Sequence, residues 1–528
     1  MLIDLARRQD DSRLDADVCI VGSGPAGLAL ARALAARNVD VVIVEKGPQT
    51  PELRPDQPDL VFGRREYKGA TLGRGFGFGG TSGFWGGGLL PIRPTELSGR
   101  SAGETPAWPI AYEAIAEHFG PLQAWLGVNP LPFDLGFAQQ ARHPLAALDW
   151  RGLDPRFLKW IPFRGRNLGA AWLSALHDSG CVHSLINATP VAWELAGDRG
   201  KRRARRLLAR APNGREASVT FDRLVICAGA LESPRLVQSL DAFDALDPQS
   251  RPHLGRYLHD HLSVRAATVE VTDRVAFLKH FAPTFSGNTM HTLRLELDPE
   301  TQAAESLPAC YAHFVAEAPD DSGFAVLRDV LRGMQQQGIA ASMAHLRRLP
   351  AAAPEIAEIA YWRFAGKRLA FPRSATISLM IDFEQPIRAD NRVYQDDADS
   401  RWHLDWDLGC RPGRLAEVMG RHLSEWWSRN GLDRVARLHF LDPDEIENHW
   451  PSNLYDIYHP AGTTRMATSA SAGVVDPDLR LFGTENVYVL STSAFPSLGA
   501  ANPTFTLMAL GLRLAGRLAE QPAPRLPS

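Results

Sequence analysis

The chain has 528 residues, 45% of them apolar, and a formal net charge of -3. That length supports two or more domains, each with its own core. The near-neutral balance removes any global electrostatic reason to expect nucleic acid or an anionic membrane as partner.

Five cysteines, Cys19, Cys181, Cys227, Cys310 and Cys410, lie far apart, and no two have C-x-x-C spacing. This argues against a structural zinc site and against an iron–sulfur cluster on a local cysteine run, so no metal is expected. The odd count fits a reducing compartment. Met1 to Asp17 lacks the apolar stretch of a signal peptide, and no run of about 18 apolar residues marks a membrane span. The expected location is cytoplasmic, with export alongside a partner subunit as the alternative.

In chain order, Ala16 to Val21 is an apolar run of the kind buried in a parallel sheet. It leads into Val21-Gly22-Ser23-Gly24-Pro25-Ala26-Gly27, a phosphate-cradling turn. A helix over Leu28 to Arg37 follows, then a second strand, Val41 to Val44, ending at Glu45. This is a βαβ unit for a dinucleotide. Gly22 allows the tight turn, Gly24 lets the backbone approach a pyrophosphate, and Gly27 lets helix and strand pack closely. The helix N-terminus faces the phosphates, and Glu45 is placed to accept from ribose hydroxyls. The motif alone does not separate FAD from NAD. No second copy stands in a strand–helix context, which disfavours a flavoenzyme reduced by NAD(P)H.

From Gly69 to Gly88 half the residues are glycine, interleaved with Phe76, Phe78, Phe84 and Trp85. A flexible linker is polar. Backbone wrapping round a flat aromatic cofactor explains both the glycines and the aromatics. Asn187 to Ala230 reads as a β-meander with a hairpin turn at Asn213-Gly214. Its basic stretch, Lys201 to Arg210, is read as a solvated strand face. Leu224 to Gly229 is a buried strand ending at Ala228-Gly229, a further edge for a cofactor pocket, and a helix starts around Glu232.

Strand-like runs recur at Val264–Val271, Met290–Leu297, Thr376–Glu384 and Trp402–Trp406. Two helical stretches, Phe324–Arg347 and Pro354–Lys367, interrupt them. Tyr361, Trp362 and Phe364 in the second are expected to pack against the body of the protein, the alternative being a membrane-facing or partner-facing surface. Near the end, His459 precedes Pro460, which biases it to extended backbone, and histidine is a base suited to neutral pH. Asn502-Pro503 reads as an N-cap with proline in the first turn of a helix running to about Glu520.

These segments, in this order, resemble the glucose–methanol–choline (GMC) oxidoreductases over nearly the whole chain. The matches include the N-terminal fingerprint, Gly79-Gly80-Thr81-Ser82, Trp108 to Glu113, Ala228 to Leu236 and Gly255 to His261. Tyr458 to Met466, Gly473 to Asp476 and Asn502-Pro503-Thr504 complete the set. Trp108 to Glu113 resembles most the branch with sugar dehydrogenases and pyranose oxidases.

The resemblance implies an α/β FAD-binding domain, Rossmann-like and GR2-type, over 14–107, 181–262 and 455–528. A second α+β substrate domain, built on an antiparallel sheet, covers 108–180 and 263–454. It implies His459 as catalytic base and Asn502 as its polar partner. It implies FAD contacts from Gly22, Gly24, Pro25, Ala26, Gly27, Glu45, Gly79, Gly80, Thr81, Ser82, Trp85, Gly86, Val191, Ala228, Gly229, Ser491, Pro503 and Thr504. Phe84 stands before Trp85 where pyranose oxidases carry the histidine that bonds FAD, so non-covalent FAD is implied. Ser491 stands where many members carry aspartate. His261 is read as a structural hydrogen bonder near the cofactor lid.

The implied function is FAD-dependent oxidation of a CH–OH group, on a sugar, glycoside or polyol, by hydride transfer to flavin N5. The alternatives are a flavin-dependent lyase on the same fold and a flavin-binding subunit of a larger redox complex. Oxygen, a quinone and a redox protein are all open as electron acceptor.

Overall fold

The computed structural model describes residues 1–9, 12–54, 59–99, 105–241, 244–320, 322–336, 349–396, 401–453 and 455–520. Two large sheets organise them. In the first, the strands Leu2–Asp4, Val182–Ile186, Val41–Val44, Ser12–Val21, Glu216–Ile226 and Val487–Val489 run parallel to their neighbours. Val18 to Val21 and Val41 to Val44 are buried throughout, as parallel strands covered on both faces require. Glu216–Ile226 is also the last strand of an antiparallel meander with Arg203–Arg210 and Thr189–Ala196. Its turn uses Gly214 at φ +86°. The basic stretch of the meander faces solvent as expected, where Arg206 pairs with Glu194 and Arg210 with Glu216.

The helix after the glycine turn spans Pro25–Ala35, three residues earlier than the apolar pattern alone marks. Proline fits the first helical turn, where its missing N–H has no partner to lose. The helix packs on the long Pro503–Glu520 helix. Gly511 of that helix stands at this contact, where a Cβ would lie at ordinary van der Waals distance, 3.8 Å, from Ala26 O and from Leu30 N. The two ends of the chain are thereby neighbours in one core.

The second sheet is antiparallel. Its strands run in the order Ala436–Phe440, His261–Val271, Thr376–Glu384, Cys310–Glu317, Thr289–Leu297, Leu153–Trp160 and Gly88–Leu89, with short additions at Thr284–Ser286 and Tyr455–Asp456. Pro412–Arg429 packs its buried face, including Leu423, Trp426 and Trp427, into this second core.

Two expectations shift. The 108–180 segment divides between the cores. Ile115, Phe119, Leu122, Leu168, Trp172 and Leu176 join the first core, while Phe137, Leu145, Leu153 and Phe157 join the second. The reason is aromatic and apolar packing onto the C-terminal helix, as in the Phe119–Phe505 stack at 5.1 Å. The second helical stretch, Leu349–Phe364, does not bury all its aromatics. Trp362 packs beside Leu278 and Ala370, but Tyr361 and Phe364 are 65% and 79% exposed. They stand three residues apart, on the face opposite to buried Ile359. Residues 337–348, the end of the first stretch, lie outside those described.

Candidate active site

A cavity of about 840 Å³ begins at the glycine turn, where Gly22, Gly24, Pro25 and Ala26 line it. Gly24 is extended backbone just before the helix, and a Cβ added to it meets nothing within 4 Å. The backbone therefore forms the wall. Gly27 does not line the cavity; a Cβ there would lie 2.1 Å from Gly22 O. Its place is the helix–strand contact.

Glu45 lines the cavity and is 7% exposed, but its carboxylate already serves the protein. Oε2 accepts from the Ser23 N–H at 3.0 Å and the Ser23 hydroxyl at 2.7 Å. Oε1 accepts from the N–H of Gly47 at 2.8 Å and of Gly77 at 3.2 Å. It ties the glycine turn to the glycine belt. The belt closes on the turn where a Cβ on Gly80 would come within 3.0 Å of Gly24 Cα.

Gly80, Thr81, Ala228, Gly229, Ser491, Pro503 and Thr504 line the same cavity. The remaining belt residues shape it from behind. Ser82 donates to Gly79 O and accepts from Leu168 N. Trp85 donates to Arg166 O, and Gly86 sits against Trp160. Val191 is placed differently from expectation. It sits at a register shift between Pro190 and Ala192 and is 43% exposed, while Thr189 and Pro190 line the cavity. The bulge turns one extra residue out of the ladder.

His459 lines the same cavity. Two short antiparallel contacts bring it there. Tyr455–Asp456 pairs with Leu262–Ser263, and Ala461 bridges His259. Between them the chain turns through Tyr458 at φ +63°, a left-handed residue with a side chain, of the kind that costs about 1–3 kcal/mol and persists where the surroundings enforce it. Asp260 is the enforcing group. Its Oδ1 accepts from the N–H of His459 and of His261, both at 2.7 Å, and its Oδ2 accepts from the Tyr67 hydroxyl.

The side chains converge as closely as the backbones. His459 Nδ1 lies 3.0 Å from His261 Nδ1, and His459 Nε2 lies 3.4 Å from Asn502 Nδ2. The Asn502 oxygen accepts from Arg294 at 2.5 Å rather than standing as a plain helix cap. Burial holds the His459 imidazole well below its ordinary range, and the neighbouring His261 and Arg294 add to that. A neutral, half-buried imidazole beside a carboxamide is equipped to take a proton from a hydroxyl.

Arg294 and Asp260 are functional candidates that the sequence reading left without a role. Arg294 does carry a signal. It alternates with Glu296 between Leu293, Leu295 and Leu297, and both charged residues are buried, which is rare without a partner. Asp260 has none outside its motif.

A dinucleotide fits this wall. The open space at the Gly24 Cβ position, the helix N-terminus at Pro25 and a cavity of about 840 Å³ lined by both the glycine turn and His459 are what a pyrophosphate with groups on both sides needs. Among the described residues, no cluster of metal-ligating side chains is found, and no helix is long and apolar enough to cross a membrane.

A family model described as FAD binding domain matches residues 15–54, and one described as GMC oxidoreductase matches residues 416–511. Choline oxidase of Arthrobacter globiformis is 33% identical over 110 residues, 21% of this chain and 18% of that protein. An oxygen-dependent choline dehydrogenase of Brucella melitensis is 31% identical over 89 residues, 17% of this chain and 16% of that one. These matches span less than a fifth of the relatives' length. Among solved structures, pyridoxine 4-oxidase from Mesorbium loti aligns with a TM-score of 0.57 at 20% identity, over 95% of this chain and 99% of that one. A fungal aryl-alcohol oxidase aligns with a TM-score of 0.53 at 18% identity, over 97% and 99%. Both share the fold from end to end.

Proposed function

We propose that the chain is a member of the GMC oxidoreductase family, on the match of residues 416–511 to the model of that description, and that it oxidises a small hydroxyl compound to a carbonyl, with His459 as base and Asn502 as positioning partner. One observation carries this reading. A single cavity joins the phosphate-binding turn to His459, and Asn502 stands 3.4 Å from that imidazole. A hydroxyl placed between the two side chains gives its proton to His459 Nε2 and is held by the Asn502 amide. Fixing one oxygen at two points also orients the adjacent C–H bond, and such positioning is a large part of catalysis.

FAD, when bound, supplies the hydride acceptor. Gly22, Gly24, Pro25 and Ala26 would hold its phosphates, with Ser491, Pro503 and Thr504 as further lining of the cavity. The N-terminus of Pro503–Glu520 favours negative charge beside it. Phe84 stands where pyranose oxidases carry the histidine that bonds FAD, and on that likeness FAD is proposed to be held without a covalent link. Acid precipitation is expected to release all the flavin to the supernatant; colour retained in the pellet refutes this.

A sugar, glycoside or polyol is the proposed substrate, on the likeness of Trp108 to Glu113 to the sugar-oxidising branch. The test is anaerobic mixing of the FAD-loaded protein with sugars and polyols, and with choline, pyridoxine and benzyl alcohol. Bleaching of the flavin by at least one hydroxyl compound, followed by mixing with oxygen or a quinone, identifies donor and acceptor. Flavin that stays oxidised with every alcohol while the protein cleaves hydroxynitriles would overturn the reading in favour of a lyase.

A further inference from the structure

His261 opens the His261–Val271 strand and is 1% exposed. Its Nε2 lies 2.7 Å from Gly499 O. A carbonyl only accepts, so this nitrogen carries the proton. In the neutral ring Nδ1 then holds a lone pair, and it faces His459 Nδ1 at 3.0 Å. His459 must therefore donate from Nδ1, which leaves its own lone pair on Nε2.

The opposite side of the site gives the same answer independently. Arg294 has only donors and reaches Asn502 Oδ1 at 2.5 Å, anchored by a second bond to Ala500 O at 3.0 Å. The oxygen of the amide is thus assigned, and its nitrogen is the atom 3.4 Å from His459 Nε2. A donor there calls for a lone pair on Nε2. Asp260 sets the spacing, since one carboxylate oxygen holds the backbone N–H of both histidines.

We propose that His261 is a positioning residue that fixes His459 as the Nδ1–H tautomer, so that the basic lone pair is on Nε2, next to Asn502. The proposal rests on the reading of His459 as base. The arrangement also survives proton uptake. The substrate O–H bond breaks, its electron pair stays on oxygen, and an N–H bond forms at Nε2. The Nδ1–H bond to His261 is the same before and after. Only the contact to Asn502 yields, and at 3.4 Å it is the longest of the set.

The test is histidine-specific ¹⁵N NMR of the FAD-loaded protein at a pH where its imidazoles are neutral. The His459 signals are identified by their loss in His459→Ala. The expected result is a protonated Nδ1 and an unprotonated Nε2; a proton on Nε2 overturns the proposal. In His261→Leu the Nδ1–H preference is expected to fall. Anaerobic flavin reduction, probed with D-glucose, choline and benzyl alcohol in turn, is expected to slow by at least about a hundredfold, since a wrongly placed proton disables a general base. His261→Asn, which keeps an acceptor oxygen near the Nδ1 position, is expected to recover most of that loss; equal loss in both variants overturns the proposal. If His261→Leu does not fold, the wild-type spectrum decides alone. A wild-type Nδ1–H tautomer with undiminished reduction in His459→Ala sinks the base reading and leaves the tautomer assignment. Abolished reduction in His459→Ala with a wild-type Nε2–H tautomer does the reverse.

Discussion

His459 is set by its neighbours in three ways, and each can be removed separately. Burial lowers its proton affinity most, then the second imidazole of His261, then the Arg294 guanidinium, while Asp382 pulls the other way. A base held below its ordinary range stays unprotonated into mildly acidic solution. Replacing Arg294 with glutamine removes the charge and keeps a donor for Asn502. The His459 pKa is then expected to rise, and the acid limb of kcat/KM to move to higher pH. An unmoved limb would show that Arg294 does not act electrostatically on the base. His459→Ala is expected to retain FAD and to slow anaerobic flavin reduction at least about a hundredfold. Undiminished reduction defeats the assignment. The histidine and asparagine were legible as a pair from their motifs. Arg294 stood out only as a charge among leucines, and its role was not legible, because its partner Asn502 lies 208 residues away in sequence.

At the scale of elements, the glycine turn separates binding from folding. Gly24 faces the cavity with open space at its Cβ position, whereas Gly27 abuts backbone, with Gly22 O at 2.1 Å. Gly24→Val is therefore expected to leave the apo fold and its circular dichroism intact while abolishing FAD retention. Gly27→Ala forces the Pro25–Ala35 helix off its strand, an overpacking of a kind that costs about 1–3 kcal/mol. A lowered Tm of the apoprotein reports it. The reverse pattern, a stable Gly27→Ala and an unfolded Gly24→Val, would reassign the two glycines. The turn was legible because three glycines at fixed spacing impose local backbone geometry. The engagement of Glu45 was not, since its four donors come from Ser23, Gly47 and Gly77, brought to it by the closing of the belt.

The whole molecule buries several imidazoles as neutral groups. Burial takes His143 and His291 down to about 3, and also lowers His259, His261 and His459. The folded state then binds fewer protons than the unfolded chain below the ordinary histidine pKa of about 6.5. Their stabilising contribution is complete above that pH and is lost as pH falls from about 6.5 towards about 3. Each such group contributes a slope of up to about 1.4 kcal/mol per pH unit in that window. Denaturant unfolding of the apoprotein from pH 8 to 4 is expected to show this decline, and His291→Gln to flatten it. A pH-independent stability over that range would contradict it.

The sequence by itself determined three of the parallel strands, at Ala16–Val21, Val41–Val44 and Leu224–Gly229, with the phosphate-binding turn, the meander and the order of family segments. These rest on local physics: apolar runs, glycine conformations and proline restrictions act within a few residues. It also brought His459 and Asn502 to notice. Only the tertiary structure decided that the first and last helices pack together, that Val191 turns out, and that 108–180 serves both cores. Only it bears on which nitrogen of His459 carries the lone pair, because the deciding contact joins side chains 198 residues apart. Such a contact exists once Asp260 has drawn two strands to one oxygen, and no local pattern along the chain encodes it.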